Sequence, residues 1–244
     1  MKVIYISKRV LYIVIIIMTF LITFGFFLFR EYKTEEASYL PISNRIIGID
    51  PGHGGVDPGA VSKTGIKEDD INLKIALKLK RFIEQSGGIA IMTREEDVGL
   101  YTSQSKTLRE MKIEDLKNRK KLIVEADCEA FISIHLNSFT KARYYGAQTF
   151  YMKEDQVSLD LANIIQEELK HVLDKDNNRQ PTDRDDVYLL KEMTIPTVLV
   201  EGGFLSNPIE EKLLITEEHQ EKIAWAIYVG IMKYFSTISG DYNF

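Results

Sequence analysis

Apolar and polar positions alternate along this chain with two different periods. Apolar residues recur at helical spacing over 69–86, 116–126, 156–173 and 217–235, which predicts amphipathic helices there. Between them, short runs rich in β-branched residues predict strands at 45–49, 89–93, 130–134, 148–152, 187–190 and 197–200. Residues 174–186 are polar and are predicted to form a loop. Strands that alternate with crossover helices are typical of an α/β domain with a mostly parallel sheet flanked by helices.

The N-terminal pattern is different, because residues 10–29 form a run of twenty residues without a charge. A helix of that length rises about 30 Å, which matches the hydrocarbon thickness of a bilayer. The run is longer than the apolar region of a cleaved signal peptide, and no small-residue cleavage site follows it. We therefore predict a transmembrane signal-anchor over residues 1–30. Secretion after cleavage of a signal peptide is the alternative.

Basic residues flank this apolar run unequally. Lys2, Lys8 and Arg9 precede it, whereas Arg30 and Lys33 follow it among three glutamates. The positive-inside bias places the N-terminus in the cytoplasm and the rest of the chain outside. The predicted organisation of the remaining chain is a linker at 31–44, a single folded domain at 45–236 and a tail at 237–244.

Charge and cysteine content narrow the possible partners. All 36 acidic residues but only 27 of the 31 basic residues lie from residue 31 onward, so this part carries a net charge of −9. A surface this acidic argues against binding of nucleic acid and against tethering to anionic polymers by charge. Cys128 is the single cysteine, which excludes an intrachain disulfide and fits an exported bacterial protein that does not rely on disulfides.

Four candidate residues for chemistry lie beside predicted element ends. His53 and His135 each come just past a predicted strand, Glu201 directly follows the strand at 197–200, and Glu68 opens a helix. Because ligands of parallel sheets gather beyond the carboxyl ends of the strands, we expect these side chains to converge. Two imidazoles, one carboxylate ligand and one spare carboxylate are what a hydrolytic zinc site needs, with the fourth position left for water.

Simpler explanations exist for most of these residues when each is taken singly. They are a turn histidine, an acid favoured by the dipole at a helix N-terminus, and a hydrogen-bonded histidine at a strand end. Glu201 is harder to explain in this way, because an acid at the end of an apolar strand is costly without a task or a partner. A phosphate-binding loop is disfavoured, since no Gly-Lys-Ser/Thr follows the glycine-rich turn. Arg94, Arg119 and Asn137 are candidates for substrate contact, although structural salt bridges explain the arginines equally well.

Longer motifs make a family resemblance specific. They are Asp50-Pro-Gly-His-Gly-Gly-Val-Asp-Pro-Gly-Ala60, Glu68, Thr93-Arg94, Ser133-Ile-His-Leu-Asn137 and Pro196-Thr-Val-Leu-Val-Glu-Gly-Gly-Phe-Leu-Ser-Asn207. In this order they resemble the zinc-dependent N-acetylmuramoyl-L-alanine amidases, over about residues 45–235. The short domain and the N-terminal span look most like the CwlD-type, germination-specific amidases of the spore cortex.

The resemblance implies a site and a reaction. Zn²⁺ would be bound by His53, Glu68 and His135, and Glu201 would be the catalytic acid and base. The substrate would be peptidoglycan, cleaved at the amide between N-acetylmuramic acid and L-alanine. In the spore cortex this removes stem peptides before the muramic δ-lactam forms, with the catalytic domain on the outer side of the membrane. Whether an accessory protein takes part stays open.

Two departures and three alternatives accompany this interpretation. Val124 stands where the family often has Asn, and Lys191 where it often has Arg, which affects the grip on substrate rather than the metal ligands. The alternatives are a non-catalytic wall-binding module, a zinc peptidase that cuts within the peptide, and a membrane protein that needs an accessory chain for activity. A non-catalytic module would be expected to lose Glu201 or a ligand, and the absence of His-Glu-x-x-His disfavours the common zinc peptidases.

Overall fold

The computed structural model describes residues 5, 7–31 and 40–240. The chain divides into two compact units, Met1–Tyr39 and Leu40–Phe244. The first unit contains helix α1, Lys8–Glu31, whose segment Lys8–Phe27 is long and apolar enough to cross a membrane. Parts of the predicted anchor, linker and tail (residues 1–4, 6, 32–39 and 241–244) lie outside the described residues.

A six-stranded sheet organises the larger unit. Its strands are β1 (Ile46–Pro51), β2 (Ile89–Met92), β3 (Ala130–Asn137), β4 (Gln148–Met152), β5 (Thr182–Arg184) and β6 (Thr197–Phe204), in the order β2-β1-β3-β6-β4-β5. Its helices are α2 (Glu68–Gln85), α3 (Leu108–Glu125), α4 (Gln156–Leu173), α5 (Tyr188–Glu192), α6 (Pro208–Leu214) and α7 (Glu217–Ser239). All neighbouring strands are parallel except β4 and β6, so the predicted fold class is confirmed.

Alternate residues of the strands supply two hydrophobic clusters. On β3, Ile132 and Ile134 pack with residues of α2, α4 and α7, whereas Phe131 packs with Ile123 of α3 and Leu189 of α5. Because successive side chains of a strand point to opposite faces, these helices cover both faces of the sheet. The carboxyl ends of β1, β3 and β6 lie together at one edge, where the predicted site residues are found.

The starts of two helices follow from local chemistry. The Thr107 side chain accepts a hydrogen bond from the Glu110 amide, while the Glu110 side chain accepts one from the Thr107 amide, which is a complete capping box for α3. Helix α2 has no side-chain cap, but its first turn consists of Glu68, Asp69 and Asp70. Negative charge is favourable at this positive end of the helix dipole, so Glu68 is placed at the helix start beside the sheet edge.

Several predicted elements are wrong or incomplete. Residues 187–190 were expected to form a strand but belong to the start of α5, where the Lys191 amide donates to the Val187 carbonyl. An apolar run this short has no readable period, so it cannot separate a strand from a helix. The predicted loop 174–186 contains β5, which exists through pairing with β4. Helix α3 begins before the predicted residue 116, and α6 had no predicted counterpart.

Candidate active site

The glycine-rich turn after β1 is shaped by two close contacts. A Cβ at Gly52 would lie 2.2 Å from ring atoms of His135, so the turn can pass this imidazole only as glycine. His53 has a φ of 65°, a left-handed conformation that is uncommon for residues other than glycine. Nη2 of Arg119 donates to the His53 carbonyl oxygen at 2.7 Å and so holds the backbone in this conformation.

Three of the predicted residues form one cluster of donor atoms. His53, Glu68 and His135 offer ligand atoms that all lie within 4.8 Å of one another. Oε1 of Glu68 is 3.3 Å from Nε2 of His53 and 3.0 Å from Nδ1 of His135. Backbone amides fix the carboxylate, since Leu136 donates to Oε1 at 3.0 Å and Ala60 donates to Oε2 at 2.8 Å.

The second nitrogen of His53 is held by a carboxylate. Nδ1 of His53 lies 2.9 Å from Oδ2 of Asp57, and Nζ of Lys112 donates to the same oxygen at 2.5 Å. Burial lowers the pKa of His53, but the hydrogen bonds to Asp57 and Glu68 outweigh it and raise the pKa to about 9. Carboxylates commonly orient metal-binding histidines in this way. A metal ion bound here would displace the ring proton.

A buried ion-pair network lies beneath the turn. Oδ1 of Asp50 accepts from Arg119 and Thr93, each at 2.7 Å, and Oδ2 accepts from Ser133 at 2.6 Å. Arg119 also donates to Asp115 at 2.8 Å. Burial alone would raise the pKa of Asp50, but the charge of Arg119 and these hydrogen bonds hold it well below its usual range. Arg119 lines the cavity described below, yet its guanidinium is engaged within the protein.

The other two predicted substrate contacts lie in different surroundings. Arg94 is buried and donates to the carbonyl oxygens of Pro51, Gly52 and Asp69 at 3.0 to 3.1 Å. It therefore supports the turn that carries His53. Asn137 ends β3, is half-buried, and accepts the Leu205 amide with its carbonyl oxygen at 2.8 Å. Contact of these residues with substrate stays a prediction.

Glu201 shares a cavity with the two histidines. It lies beside His135 in the register of β3 and β6, and it lines a cavity with His53 and His135. Its side-chain atom Oε2 is buried and has no hydrogen-bond partner among the described residues. Burial and the nearby charge of Glu68 raise the pKa of Glu201 to about 8. A carboxyl group in this state can hold a proton at neutral pH and release it to a strong acceptor.

The donor set fits zinc. Zinc bonds of about 2.0–2.2 Å in a tetrahedral arrangement place neighbouring ligand atoms roughly 3.3–3.6 Å apart. Of the two separations measured from Oε1 of Glu68, 3.3 Å lies at the short end of this range and 3.0 Å slightly below it, so a small outward shift of the side chains would admit the ion. The orphaned Oε2 of Glu201 supplies an uncommitted carboxylate oxygen in the same cavity. These residues could therefore hold a metal ion next to a proton-transfer group.

Sequence reasoning missed three contributors to this site. Asp57 stands four residues after His53, a spacing visible in the motif, but its role depends on the shape of the turn. Lys112 was missed because α3 was predicted to begin after it. Arg184 lies in the segment predicted to be a loop, and it lines the cavity with Glu201.

An α/β sheet with such a donor cluster at its carboxyl edge, and with a buried glutamate of raised pKa beside it, has the arrangement of a metal-dependent hydrolase. Residues 47–233 match the N-acetylmuramoyl-L-alanine amidase family, Amidase_3, and the chain belongs to this family. It is an enzyme that hydrolyses the amide between N-acetylmuramic acid and L-alanine. The resemblance inferred from the motifs is confirmed.

Individual relatives agree with this assignment. The chain is 39% identical over 219 residues to the germination-specific N-acetylmuramoyl-L-alanine amidase of Bacillus subtilis, covering 88% of this chain and 91% of the relative. The structure of the CwlD amidase from Clostridioides difficile, solved in complex with the GerS lipoprotein, is similar with 56% identity and a TM-score of 0.78, covering 80% and 100% of the two chains. The amidase AmiC2 of Nostoc punctiforme is similar with 27% identity and a TM-score of 0.67, covering 78% and 96%.

Proposed function

We propose that this chain is a zinc-dependent amidase that removes stem peptides from spore-cortex peptidoglycan before the muramic δ-lactam forms. The observation that best supports zinc chemistry is the convergence of His53, Glu68 and His135 beside the unpaired Oε2 of Glu201. The similarity to germination-specific relatives supports the cortex as the location of the substrate.

In the proposed mechanism His53, Glu68 and His135 hold Zn²⁺. When bound, the metal supplies a Lewis acid that polarises the scissile carbonyl and lowers the pKa of water. Asp57 keeps the His53 ring in one orientation, and the amides of Ala60 and Leu136 keep the Glu68 carboxylate in place. This support fixes the donor atoms before any ligand arrives, which is what a preorganised site requires.

Glu201 moves the proton in this mechanism. As a carboxylate it accepts a proton from the attacking water, and as an acid it delivers that proton to the leaving nitrogen of L-alanine. Burial raises the pKa of Glu201 in the metal-free site, and the charge of a bound Zn²⁺ would lower it again, so the group would titrate near working pH and exchange its proton at small cost. Leu116, Leu189 and Leu199 also line the cavity, so part of the wall around Glu201 is apolar.

We further propose that α1 anchors the chain in a membrane with the catalytic domain outside the cytoplasm. The segment Lys8–Phe27 has a mean hydropathy of 2.7, and its length suffices to span the hydrocarbon layer. We expect the full-length protein in the membrane fraction with its N-terminal segment intact. N-terminal sequencing of the mature protein tests this, and a start beyond residue 29 would favour the cleaved signal peptide instead.

Product analysis tests the amidase assignment against its alternatives. Stem-bearing cortex peptidoglycan is digested with the purified full-length protein alone, and the products are identified by mass. We expect peptides with a free N-terminal L-alanine and glycan strands with free lactyl carboxylates. Peptides cut internally would indicate a zinc peptidase, and the absence of any release would indicate a non-catalytic module. Release only after addition of a lipoprotein would show that an accessory protein is needed, as the complex of the C. difficile relative suggests.

A further inference from the structure

We propose that Arg184 binds a carboxylate of the stem peptide, and that it makes this enzyme prefer an acidic residue after L-alanine over the corresponding amide. Arg184 lines the same cavity as His53, His135 and Glu201, but no step of the mechanism uses it. The inference rests on the amidase reaction, because that reaction defines which peptide lies in the cavity. In peptidoglycan the residue after L-alanine is D-glutamate, whose α-carboxylate is either free or amidated.

The position of Arg184 directs its side chain toward the cavity. It ends β5 at the edge of the sheet, and its guanidinium carbon lies 5.6 Å from the centroid of the Phe150 ring. Phe150 pairs in register with Leu199 of β6, and Leu199 itself lines the cavity. The arginine therefore lies across the neighbouring strand, and its charged end is on the cavity side.

The present partner of Arg184 leaves it available to a ligand. Nε and Nη2 donate to the two carboxylate oxygens of Asp186 at 2.8 and 2.6 Å, and the Asp186 side chain is 63% exposed. This bidentate ion pair orients the guanidinium through one edge and leaves the Arg184 side chain 36% exposed. Nη1 has no partner among the described residues. Its N–H groups complete a fork that matches the geometry of a carboxylate.

The other arginine and lysine side chains that line the cavity are already engaged. Arg119 is buried and donates to Asp50, and Lys112 donates to Asp57, the carboxylate that orients His53. A substrate carboxylate at Lys112 would compete with Asp57, whereas one at Arg184 displaces nothing that supports the site. Arg184 is therefore the better candidate for contact with an anionic peptide.

The spacing agrees with a contact close to the scissile bond. In the strand register, Arg184 lies two strands away from Glu201 across the sheet and four residues away along the strand direction. These two displacements together correspond to about 17 Å between the Cα atoms. The two side chains together cover roughly 10 Å of this span by standard bond lengths. The remaining distance of roughly 7 Å is that of two extended peptide residues. This points to the residue directly after L-alanine.

The test compares two substrates on the full-length enzyme. Both are muramoyl glycan oligomers whose stem peptides continue through the γ-carboxyl group of the second residue, one with the α-carboxylate of D-glutamate free and the other with it amidated as D-isoglutamine. We expect Arg184→Gln to raise KM about tenfold for the carboxylate substrate, since a hydrogen bond to a charged group is lost, and to leave KM for the amide substrate within about twofold. We expect Arg184→Lys to restore part of the difference, because it keeps the charge without the fork. The value of kcat at its optimum should change little, and its pH profile should move toward higher pH, because the charge of Arg184 lowers the pKa of Glu201.

Arg81→Gln is the matched control. Arg81 is also an exposed, ion-paired arginine, bonded to Glu221 at 2.7 Å and placed 5.3 Å from the centroid of the Phe82 ring, but it does not line the cavity. We expect Arg81→Gln to leave KM unchanged for both substrates. An equal rise of KM for both substrates, or no rise, would overturn the proposal, and a fall in kcat with both KM values unchanged would instead assign Arg184 to the tuning of Glu201.

A binding measurement separates this proposal from the amidase function itself. The affinity of each oligomer is measured for the single variant Glu201→Gln and for the double variant that also carries Arg184→Gln. Both variants lack the proton-transfer group, so binding is measured without turnover. Weaker binding of the carboxylate oligomer alone in the double variant supports the proposal even if the wild-type protein cleaves neither oligomer. Failure of the wild-type protein to cleave either oligomer would then contradict the amidase function. Equal binding of the two oligomers would contradict the proposed role of Arg184.

Discussion

We expect Glu201→Gln to lower kcat by about 10²–10⁴-fold, the usual contribution of a general acid–base group, while the protein folds and binds zinc normally. The amide keeps the shape and volume of the carboxyl group but cannot accept a proton from water. Because Oε2 of Glu201 has no hydrogen-bond partner among the described residues, the substitution breaks no described contact at that atom. Zinc content, melting temperature and turnover are measured on one preparation.

The same preparation separates three roles of Glu201. A fourth zinc ligand would show as reduced metal content, and a purely structural acid as a lower melting temperature with normal turnover of the folded fraction. Near-normal turnover would contradict the mechanism. Glu210→Gln is the control, because Glu210 is also a glutamate with a pKa raised by burial, but it accepts hydrogen bonds from the amides of Gly146 and Phe204 and lines a different cavity. We expect it to affect stability and not kcat.

The second large effect concerns the metal ligands. Replacing His53, Glu68 or His135 by alanine should lower zinc affinity and activity together by more than about a hundredfold. Even loss of a residue that only orients a ligand costs about 10–100-fold, and each of these three supplies a donor atom itself. The loss of zinc affinity and activity caused by Asp57→Asn should fall in that smaller range, because Asp57 contacts His53 and offers no atom to the cluster. Metal analysis and activity assays on each variant provide the measurement.

A histidine outside the cluster provides the comparison. His219 lines a second cavity together with Glu210 and Leu213, and burial lowers its pKa. His219→Ala should therefore keep both zinc and activity. Full zinc occupancy in all three alanine variants of the cluster would reject the proposed site. Chelation of the wild-type protein should abolish activity, and added zinc should restore it.

The sequence predicts the part of this site that strand ends determine. His53, His135 and Glu201 each follow an apolar run, and parallel strands bring such ends to one edge, so their convergence could be expected. The mostly parallel sheet could be expected for the same reason. The apolar runs of β1, β3 and β6 are strong signals, because these central strands are buried along nearly their whole length.

Other features depend on distances that no sequence pattern reveals. The choice between a salt bridge and substrate contact for Arg119 depends on where Asp50 and Asp115 lie in space. The cavity wall formed by Arg184 depends on β5, which is three residues long and exists through pairing with β4. The segment at the start of α5, around Tyr188, is predicted as a strand from the sequence, because a run of four apolar residues fits a strand as well as a helix.

The contact between Gly52 and the ring of His135 links two positions that are far apart in the chain. A side chain at position 52 would occupy the volume of the imidazole, so a larger residue can enter this position only where the histidine is lost or displaced. The two positions should therefore change together during evolution. In descendants that have given up catalysis and lost the histidine, position 52 becomes free to accept larger residues, which would mark such chains as former enzymes even where the rest of the motif survives.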